Sequence, residues 1–330
     1  MVSRRDYKIQ VQWRCFRFNL PTPMITAGSD LIKRSGWLLR LENADGDIGW
    51  GEVAPLENDD RVRENIATLI NIMTNLYTKQ QLTNLSKGAP PALRFGIGCA
   101  LAELEDDIHK PHETWLDSPL SAWLLPSGLS ALDSLLKIQE YHPQGVPITL
   151  KWKVGVHEDI LERKILEELL NHLPLTTRLR LDVNGGWNRS IAASWSDRLR
   201  KEPRLEWIEQ PLEPTDQIGL EIIARQVPVA LDESLRVYSS LRQTWSGWQV
   251  RRPTVEGDPR FLLAALKLGT PRLMISTSIE TGIGRRWVNH LAAIQHKGST
   301  PVAPGLAPNW NPSGNLFSHD PQKVWDSALW

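Results

Sequence analysis

Two lysines, Lys151 and Lys153, interrupt an otherwise apolar run, Ile148-Thr149-Leu150-Lys151-Trp152-Lys153-Val154, that ends at Gly155. Such a run reads as a strand. Residues i and i+2 of a strand point to the same side, so both ammonium groups enter one space. Like charge and loss of water both favour the neutral amine there. A lysine so placed can act as a base near neutral pH. Taken alone, the pattern also fits an edge strand carrying two solvated lysines. Three acids downstream change that balance: Asp182 in Arg180-Leu181-Asp182-Val183-Asn184, Glu209 in Trp207-Ile208-Glu209-Gln210-Pro211, and Asp232 in Leu231-Asp232-Glu233-Ser234. Each ends an apparent strand, and each alone would read as a turn or capping residue. Three carboxylates facing one space repel and are costly to desolvate. A divalent cation relieves both penalties. Oxygen donors without histidine or cysteine favour a hard ion, Mg2+, with Mn2+ as a substitute.

The elements that must carry these groups follow from the pattern. From about residue 119 a strand, loop, helix rhythm repeats. Strands are expected at 120–125, 148–154, 178–183, 205–209, 227–231, 248–252, 273–276 and 301–303. Eight strands alternating with helices predict an α/β fold, a (β/α)8-type (TIM-like) barrel with its site at the C-terminal strand ends. A doubly wound open sheet is the structural alternative. Gly282-x-Gly284 and Gly96-x-Gly98 lack the third glycine of its phosphate turn. Before the barrel, strands over 9–20, 37–41 and 48–53, a turn at Asp45-Gly46, and helices over 62–82 and 92–105 predict a small α+β domain. The expected division is 1–115 and 116–330, with the C-terminal tail able to pack back on the first part.

The chain has 330 residues, 41% of them hydrophobic and 23% charged, the balance of a globular protein with room for two domains. Thirty-eight basic residues match 38 acidic ones, which gives no electrostatic reason to expect nucleic acid or a membrane surface as partner. A small carboxylate is the expected partner; oligomeric state is open. Cys15 and Cys99 form no metal-ligand spacing, and reduced thiols in a cytoplasmic protein are the simpler expectation. Arg4-Arg5 is followed by no apolar run of signal-peptide type.

The arrangement resembles the enolase superfamily and its muconate-lactonizing branch. Lys151-x-Lys153, Asp182-x-Asn184, Glu209-Gln210-Pro211-Leu212 and Asp232-Glu233-Ser234 carry the resemblance, which spans nearly the whole chain. The N-terminal part is similar to that superfamily's capping domain. Within the branch the likeness is to the o-succinylbenzoate synthase family of menaquinone and phylloquinone biosynthesis. The words that carry it are Gly49-Trp50-Gly51-Glu52-Val53-Ala54-Pro55-Leu56, Leu124-Leu125-Pro126-Ser127-Gly128 and Ile275-Ser276-Thr277-Ser278-Ile279-Glu280. The resemblance implies a syn β-elimination of water from 2-succinyl-6-hydroxy-2,4-cyclohexadiene-1-carboxylate, giving 2-succinylbenzoate. It implies Lys153 as base, Lys151 as its supporting cation, and Asp182, Glu209 and Asp232 as Mg2+ ligands. Arg180 and Asn184 would orient substrate or ligands. Ser276, Thr277 and Ser278 match the loop that meets the succinyl end. Thr26 to Ser29, with Thr26 and Gly28 as contacts, match the capping-domain loop that closes the site. Gly305, in Gly305-Leu306-Ala307-Pro308, would also meet substrate, although this loop departs from the family's acid-bearing pattern.

A second departure concerns Arg252, in Arg251-Arg252-Pro253, where the family carries a further lysine on the opposite face. Arginine stays protonated and cannot act as a base. N-acylamino acid racemases and dipeptide epimerases of the same superfamily need a base on each face; a one-base elimination does not. Arg252 is then a catalytic cation that stabilises the anionic ring by charge and by cation–π contact. A catalytically inactive, metabolite-binding barrel is the remaining alternative.

Overall fold

A computed structural model describes residues 7–25, 30–56, 60–73, 75–105, 115–143, 145–310 and 312–329. Three long strands open the chain: β1 (Ile9–Ile25), β2 (Asp30–Glu42) and β3 (Ile48–Val53). The turn between β2 and β3 is locked by Asn43, whose Oδ1 accepts from the backbone N–H groups of Asp45 and Asp47, while Gly46 takes a positive φ of 86°. Helix α1 (Asp60–Ile72) follows, then β4 (Leu76–Tyr77), α2 (Lys79–Gly88) and α3 (Pro91–Leu104). The sheet is antiparallel in the order β3-β2-β1-β4.

The single helix expected over 62–82 is two helices. Thr78 and Gln81 form a reciprocal capping box that starts α2. Leu76–Tyr77 is drawn off to pair with Ile9 and Gln10.

Helix α3 is apolar on every side, with 11 of its 14 residues buried, as a helix wedged between two layers must be. It lies so close to β3 that a Cβ on Gly51 would stand 2.0 Å from the carbonyl oxygen of Gly96. Glycine is therefore required in the Gly49-Trp50-Gly51 word. The opposite side of α3, through Phe95, Cys99 and Ala102, packs on Trp287 of the barrel. Cys15 and Cys99 are free thiols.

The second sheet is parallel: β5 (Trp123–Leu125), β6 (Thr149–Lys153), β7 (Arg178–Asp182), β8 (Leu205–Glu209), β9 (Val229–Leu231), β10 (Trp248–Arg251) and β11 (Leu273–Ile275), adjacent in chain order. The helices outside it are α4 (Ser130–Tyr141), α5 (Asp159–His172), α6 (Arg189–Leu199), α7 (Gln217–Ala224), α8 (Glu233–Val237), α9 (Leu241–Thr244), α10 (Pro259–Lys267) and α11 (Gly282–His296). The expected eighth strand at 301–303 is not a regular strand, because Pro301 and Pro304 lack N–H donors. The segment still closes the barrel: Gly305 N–H donates to Ile275 O at 2.8 Å, and Ala122 N–H to Pro304 O at 2.9 Å. A short helix, α12 (Pro321–Asp326), then returns to the first sheet, where Cys15 and Leu329 pair antiparallel. The expected boundary after residue 115 follows residues 106–114, which lie outside the described set.

Candidate active site

The parallel register sets the acids side by side. Lys153 is level with Asp182, and Asp182 with Glu209, on consecutive strands. Asp232 directly follows β9, and Arg252 follows β10. Alternation then turns Lys151, Lys153, Asp182 and Glu209 to the barrel interior. Beneath them Trp207, Ala230, Val250 and Met274 fill the barrel with apolar volume.

A cleft opens at this end. Lys151, Lys153, Asp182, Asn184 and Arg252 line it, with Ser276, Thr277, Ser278 and Gly305 opposite. Leu56 from the first domain, Leu124 and Ile279 supply apolar wall. Glu209 and Asp232 are buried below that lining, at 0% and 2% exposure. Thr26 and Gly28 lie outside the described residues. Arg180, expected to orient substrate, is fully buried below the cleft. Its Nε donates to Glu206 at 2.5 Å, its Nη2 to Ala303 O at 2.7 Å, and its guanidinium lies over the Trp207 ring. It props the barrel and lines no part of the cleft.

The charges pair tightly. Lys151 Nζ lies 2.7 Å from Glu209 Oε1 and 3.0 Å from Asp182 Oδ2. Burial alone would drive Lys151 toward the neutral amine, but Asp182 and Glu209 outweigh it and hold the ammonium charged. That reverses the expectation from two crowded lysines, which left out the acids across the strands. Burial pushes Glu209 up to about 7, against the pull of Lys151. Burial also opposes ionisation of Asp182 and Asp232. Lys151 and Lys153 nevertheless bring Asp182 below its ordinary value, and Arg252 brings Asp232 down to about 2. Lys153 is the loosely held member, 3.7 Å from Asp182 Oδ2.

As the side chains stand, no three acidic, histidine or cysteine side chains among the described residues gather round one cation-sized point. Lys151 stands between Asp182 and Glu209, and Arg252 occupies Asp232. Yet Asp182 Oδ1 and Glu209 Oε2 are buried without a hydrogen-bond partner, as are Glu233 Oε2 and Asn184 Oδ1. Unsatisfied buried carboxylate oxygens are costly. An all-oxygen set with open lone pairs suits Mg2+, and the donor set fits that ion.

Local anchors hold these groups. Gln210 has a φ of 40° at the end of β8. Its Oε1 accepts from the backbone N–H groups of Asp232 (3.2 Å) and Ser234 (3.1 Å), and its Nε2 donates to Ser234 Oγ at 2.7 Å. Thus Gln210 sets the backbone of the neighbouring strand end. Glu162 does the same after β6, accepting from the N–H groups of Gly155, Val156 and His157. Glu280 accepts from Thr254 Oγ1, Thr277 Oγ1 and Ser278 N–H, which fixes the loop after β11. Two charged cleft residues had no expected role, Glu233 and Arg236. The one available signal was position, directly after Asp232 and one helical turn beyond it.

Comparison with known proteins was made on this geometry. Residues 10–104 match the family model "MenC, N-terminal domain", and residues 139–246 match "Enolase C-terminal domain-like". The o-succinylbenzoate synthase of Thermosynechococcus vestitus is 34% identical over 292 residues, covering 85% of this chain and 87% of that protein. That of Photorhabdus laumondii is 28% identical, covering 88% of each. The crystal structure of o-succinylbenzoate synthase from Thermosynechococcus elongatus, complexed with Mg in its active site, superposes with a TM-score of 0.79 at 29% identity, over 96% of this chain and 99% of that one. The L-Ala-D/L-Glu epimerase from Bacillus subtilis shares the fold, with a TM-score of 0.72 at 18% identity over 93% and 92% of the two chains.

Proposed function

The chain belongs to the o-succinylbenzoate synthase family of the enolase superfamily, and we propose that it uses Lys153 as a single base for the dehydration that defines that family. It is a carbon–oxygen lyase of menaquinone biosynthesis that depends on Mg2+. Its substrate is 2-succinyl-6-hydroxy-2,4-cyclohexadiene-1-carboxylate and its product 2-succinylbenzoate. The observation that carries the assignment is the asymmetry of the cations in the cleft. Lys151 and Arg252 are clamped on acids, while Lys153 has one ionic contact, at 3.7 Å.

Lys153 Nζ takes the proton alpha to the ring carboxylate, and the C–H electron pair moves into that carboxylate as an enediolate. The same ammonium then protonates the leaving hydroxyl on that face. The C–O bond breaks, water departs and the ring becomes aromatic. A base and acid in one group suits a syn elimination. Asp182, Glu209 and Asp232 would hold a Mg2+, which when bound supplies Lewis-acid stabilisation of the charge developing on the substrate carboxylate. Lys151, held charged, adds a fixed positive charge beside that group. Arg252 stays protonated and offers its cationic face to the anionic ring.

Asn184 and the loop Ser276, Thr277, Ser278 and Gly305 orient the rest of the molecule. Thr26 and Gly28, outside the described residues, complete the proposed substrate contacts, and Mn2+ substitutes for Mg2+. The protein works in the cytoplasm on a small carboxylate, without nucleic acid or membrane. No helix among the described residues is long and apolar enough to cross a membrane.

The test follows the ultraviolet absorbance of the diene carboxylate with Mg2+, with EDTA, and with Lys153→Ala. Rapid loss of the diene that needs both Mg2+ and Lys153 is expected. General acid–base groups contribute about 10²–10⁴-fold, so a variant within tenfold of the parent would sink the one-base scheme. No turnover at all would favour an inactive barrel.

A further inference from the structure

We infer that Glu52, a residue of the first domain, is a positioning residue for the active-site cleft of the second. It holds two walls of the cleft, Leu56 from one domain and Thr277 to Ile279 from the other, at the spacing the substrate needs. This rests on the reaction proposed above. Glu52 lines no part of the cleft itself, so it acts only through what it anchors.

The side chain of Glu52 is 1% exposed and crosses from β3 into the barrel domain. Its Oε2 accepts from Thr281 N–H at 3.0 Å, from Thr281 Oγ1 at 2.5 Å and from Gly284 N–H at 3.0 Å. Gly284 lies in the first turn of α11, where no carbonyl of the helix can reach its N–H. A buried donor without a partner is costly, so α11 takes part of its cap from the other domain. The fit is close: a Cβ on Gly284 would stand 2.7 Å from Glu52 Oε2.

Both walls hang from this contact. On the first-domain side, Leu56 follows Glu52 after a short turn and lines the cleft. Buried Arg34 fixes that turn by donating to the carbonyls of Ala54 at 2.9 Å and Pro55 at 2.8 Å. On the barrel side, Thr281 directly follows Glu280, whose carboxylate accepts from Thr254 Oγ1, Thr277 Oγ1 and Ser278 N–H. Between them Ile279 has a φ of 61°. That is a strained conformation for a β-branched residue, and it persists only where the surroundings impose it. Glu280 holds one side of the strained segment, and Glu52 holds the residue that ends it. The carbonyl of Thr277 in turn accepts from Arg252.

A second buried acid also joins the domains and serves as the comparison. Glu103, on α3, accepts from Arg286 Nη2 at 2.5 Å, Trp287 Nε1 at 3.0 Å and Trp50 N–H at 3.1 Å. It grips α11 beyond its first turn and touches neither wall of the cleft.

The experiment compares the parent protein with Glu52→Leu, Glu52→Gln, Gly284→Ala and Glu103→Gln. For each, the Kd of 2-succinylbenzoate is measured calorimetrically with Mg2+, KM and kcat on the diene carboxylate, and the melting temperature. Misplaced walls weaken contacts made in ground state and transition state alike, so the loss belongs in KM. Glu52→Leu should raise Kd and KM about 10- to 100-fold, with kcat within about threefold. Glu52→Gln keeps an oxygen where Oε2 stands and should restore both constants to within about threefold of the parent. Gly284→Ala pushes on the same oxygen from the barrel side and should raise KM as Glu52→Leu does. The double variant should be no worse than either single one, because both break one contact. Glu103→Gln should lower the melting temperature and leave KM and Kd unchanged.

Three outcomes overturn the inference: parental KM and Kd in Glu52→Leu, equal damage in Glu52→Gln and Glu52→Leu, or a matching rise of KM in Glu103→Gln, which would mean that any loosening between the domains has this effect. Should Glu52→Leu not fold, parental KM and Kd in Gly284→Ala overturn it instead. Failure of the parent to turn over the diene counts against the proposed reaction, while the Kd comparison still reads the spacing of the walls.

Discussion

The guanidinium of Arg252 closes on Asp232: Nε donates to both carboxylate oxygens, at 3.0 and 2.9 Å, and Nη2 reaches Oδ2 at 2.6 Å. Asp232 is buried and Arg252 partly so, and Arg252 is held more firmly protonated than an ordinary arginine: Asp232 outweighs the burial that opposes its charge. A group so fixed gives no second base across from Lys153. N-succinyl amino acids in deuterated water should therefore exchange their α-proton with retention of configuration. Arg252→Lys should open a racemisation channel. Proton NMR for exchange and chiral chromatography for configuration check this, and a parent enzyme that racemises as fast as it exchanges would refute it.

Lys151 neutralises two buried acids at once. Lys151→Met keeps much of the stem's volume and removes the charge. Breaking one side of a buried ion pair costs about 3–5 kcal/mol. Urea unfolding in EDTA should show a loss near that size, with a larger gain on adding Mg2+ than the parent shows. An unchanged urea midpoint in EDTA would mean that the acids are already satisfied without Lys151.

Glu52 gives a pH signature away from the cleft. It reaches from β3 to the start of α11, where it accepts from the N–H groups of Thr281 and Gly284 and from Thr281 Oγ1. Burial, aided by Glu280 and opposed by the Thr281 hydrogen bonds, pushes its pKa up to about 7, from an ordinary 4.5. Between those values the folded state keeps a proton that the unfolded chain has lost. Stability from this group is thus full below about pH 4.5 and falls as pH rises toward 7, by about 3 kcal/mol in all. Unfolding free energies from pH 5 to 8 should fall more steeply for the parent than for Glu52→Gln. Parallel pH profiles would contradict the assignment.

Gln210→Leu should damage metal binding without touching an expected ligand. It strands the N–H groups of Asp232 and Ser234, at about 1–3 kcal/mol each, and frees the strand end that carries Asp232. Weaker Mg2+ binding by calorimetry, together with a lower melting temperature, is expected. Intact metal affinity would show that Asp232 is held by Arg252 alone.

The lysine pair and the three acids were legible because strand alternation and strand ends are local signals. The barrel followed from their repetition. Lys151's charge was not legible, because it depends on Asp182 and Glu209 from neighbouring strands. The depth of Arg180 was not legible for a related reason: alternation gives the side of the strand but not the depth, and Arg180 lies a layer below Asp182. The break before Thr78 was hidden because apolar spacing continues through Leu76, while the pairing that extracts Leu76 and Tyr77 comes from β1. Gln210 acts through side-chain reach, which no spacing rule encodes.

The pairing of Cys15 with Leu329 has a consequence for synthesis. Arg14 also donates to the carbonyl of Trp325, 311 positions along the chain. A ribosome makes roughly 5–20 residues per second, so on the order of 15–60 seconds separate the two partners. Until the second emerges, the edge of β1 at Cys15 stays unpaired and open to other strands. The nascent chain thus passes an interval with the first domain already made and this edge contact still to come.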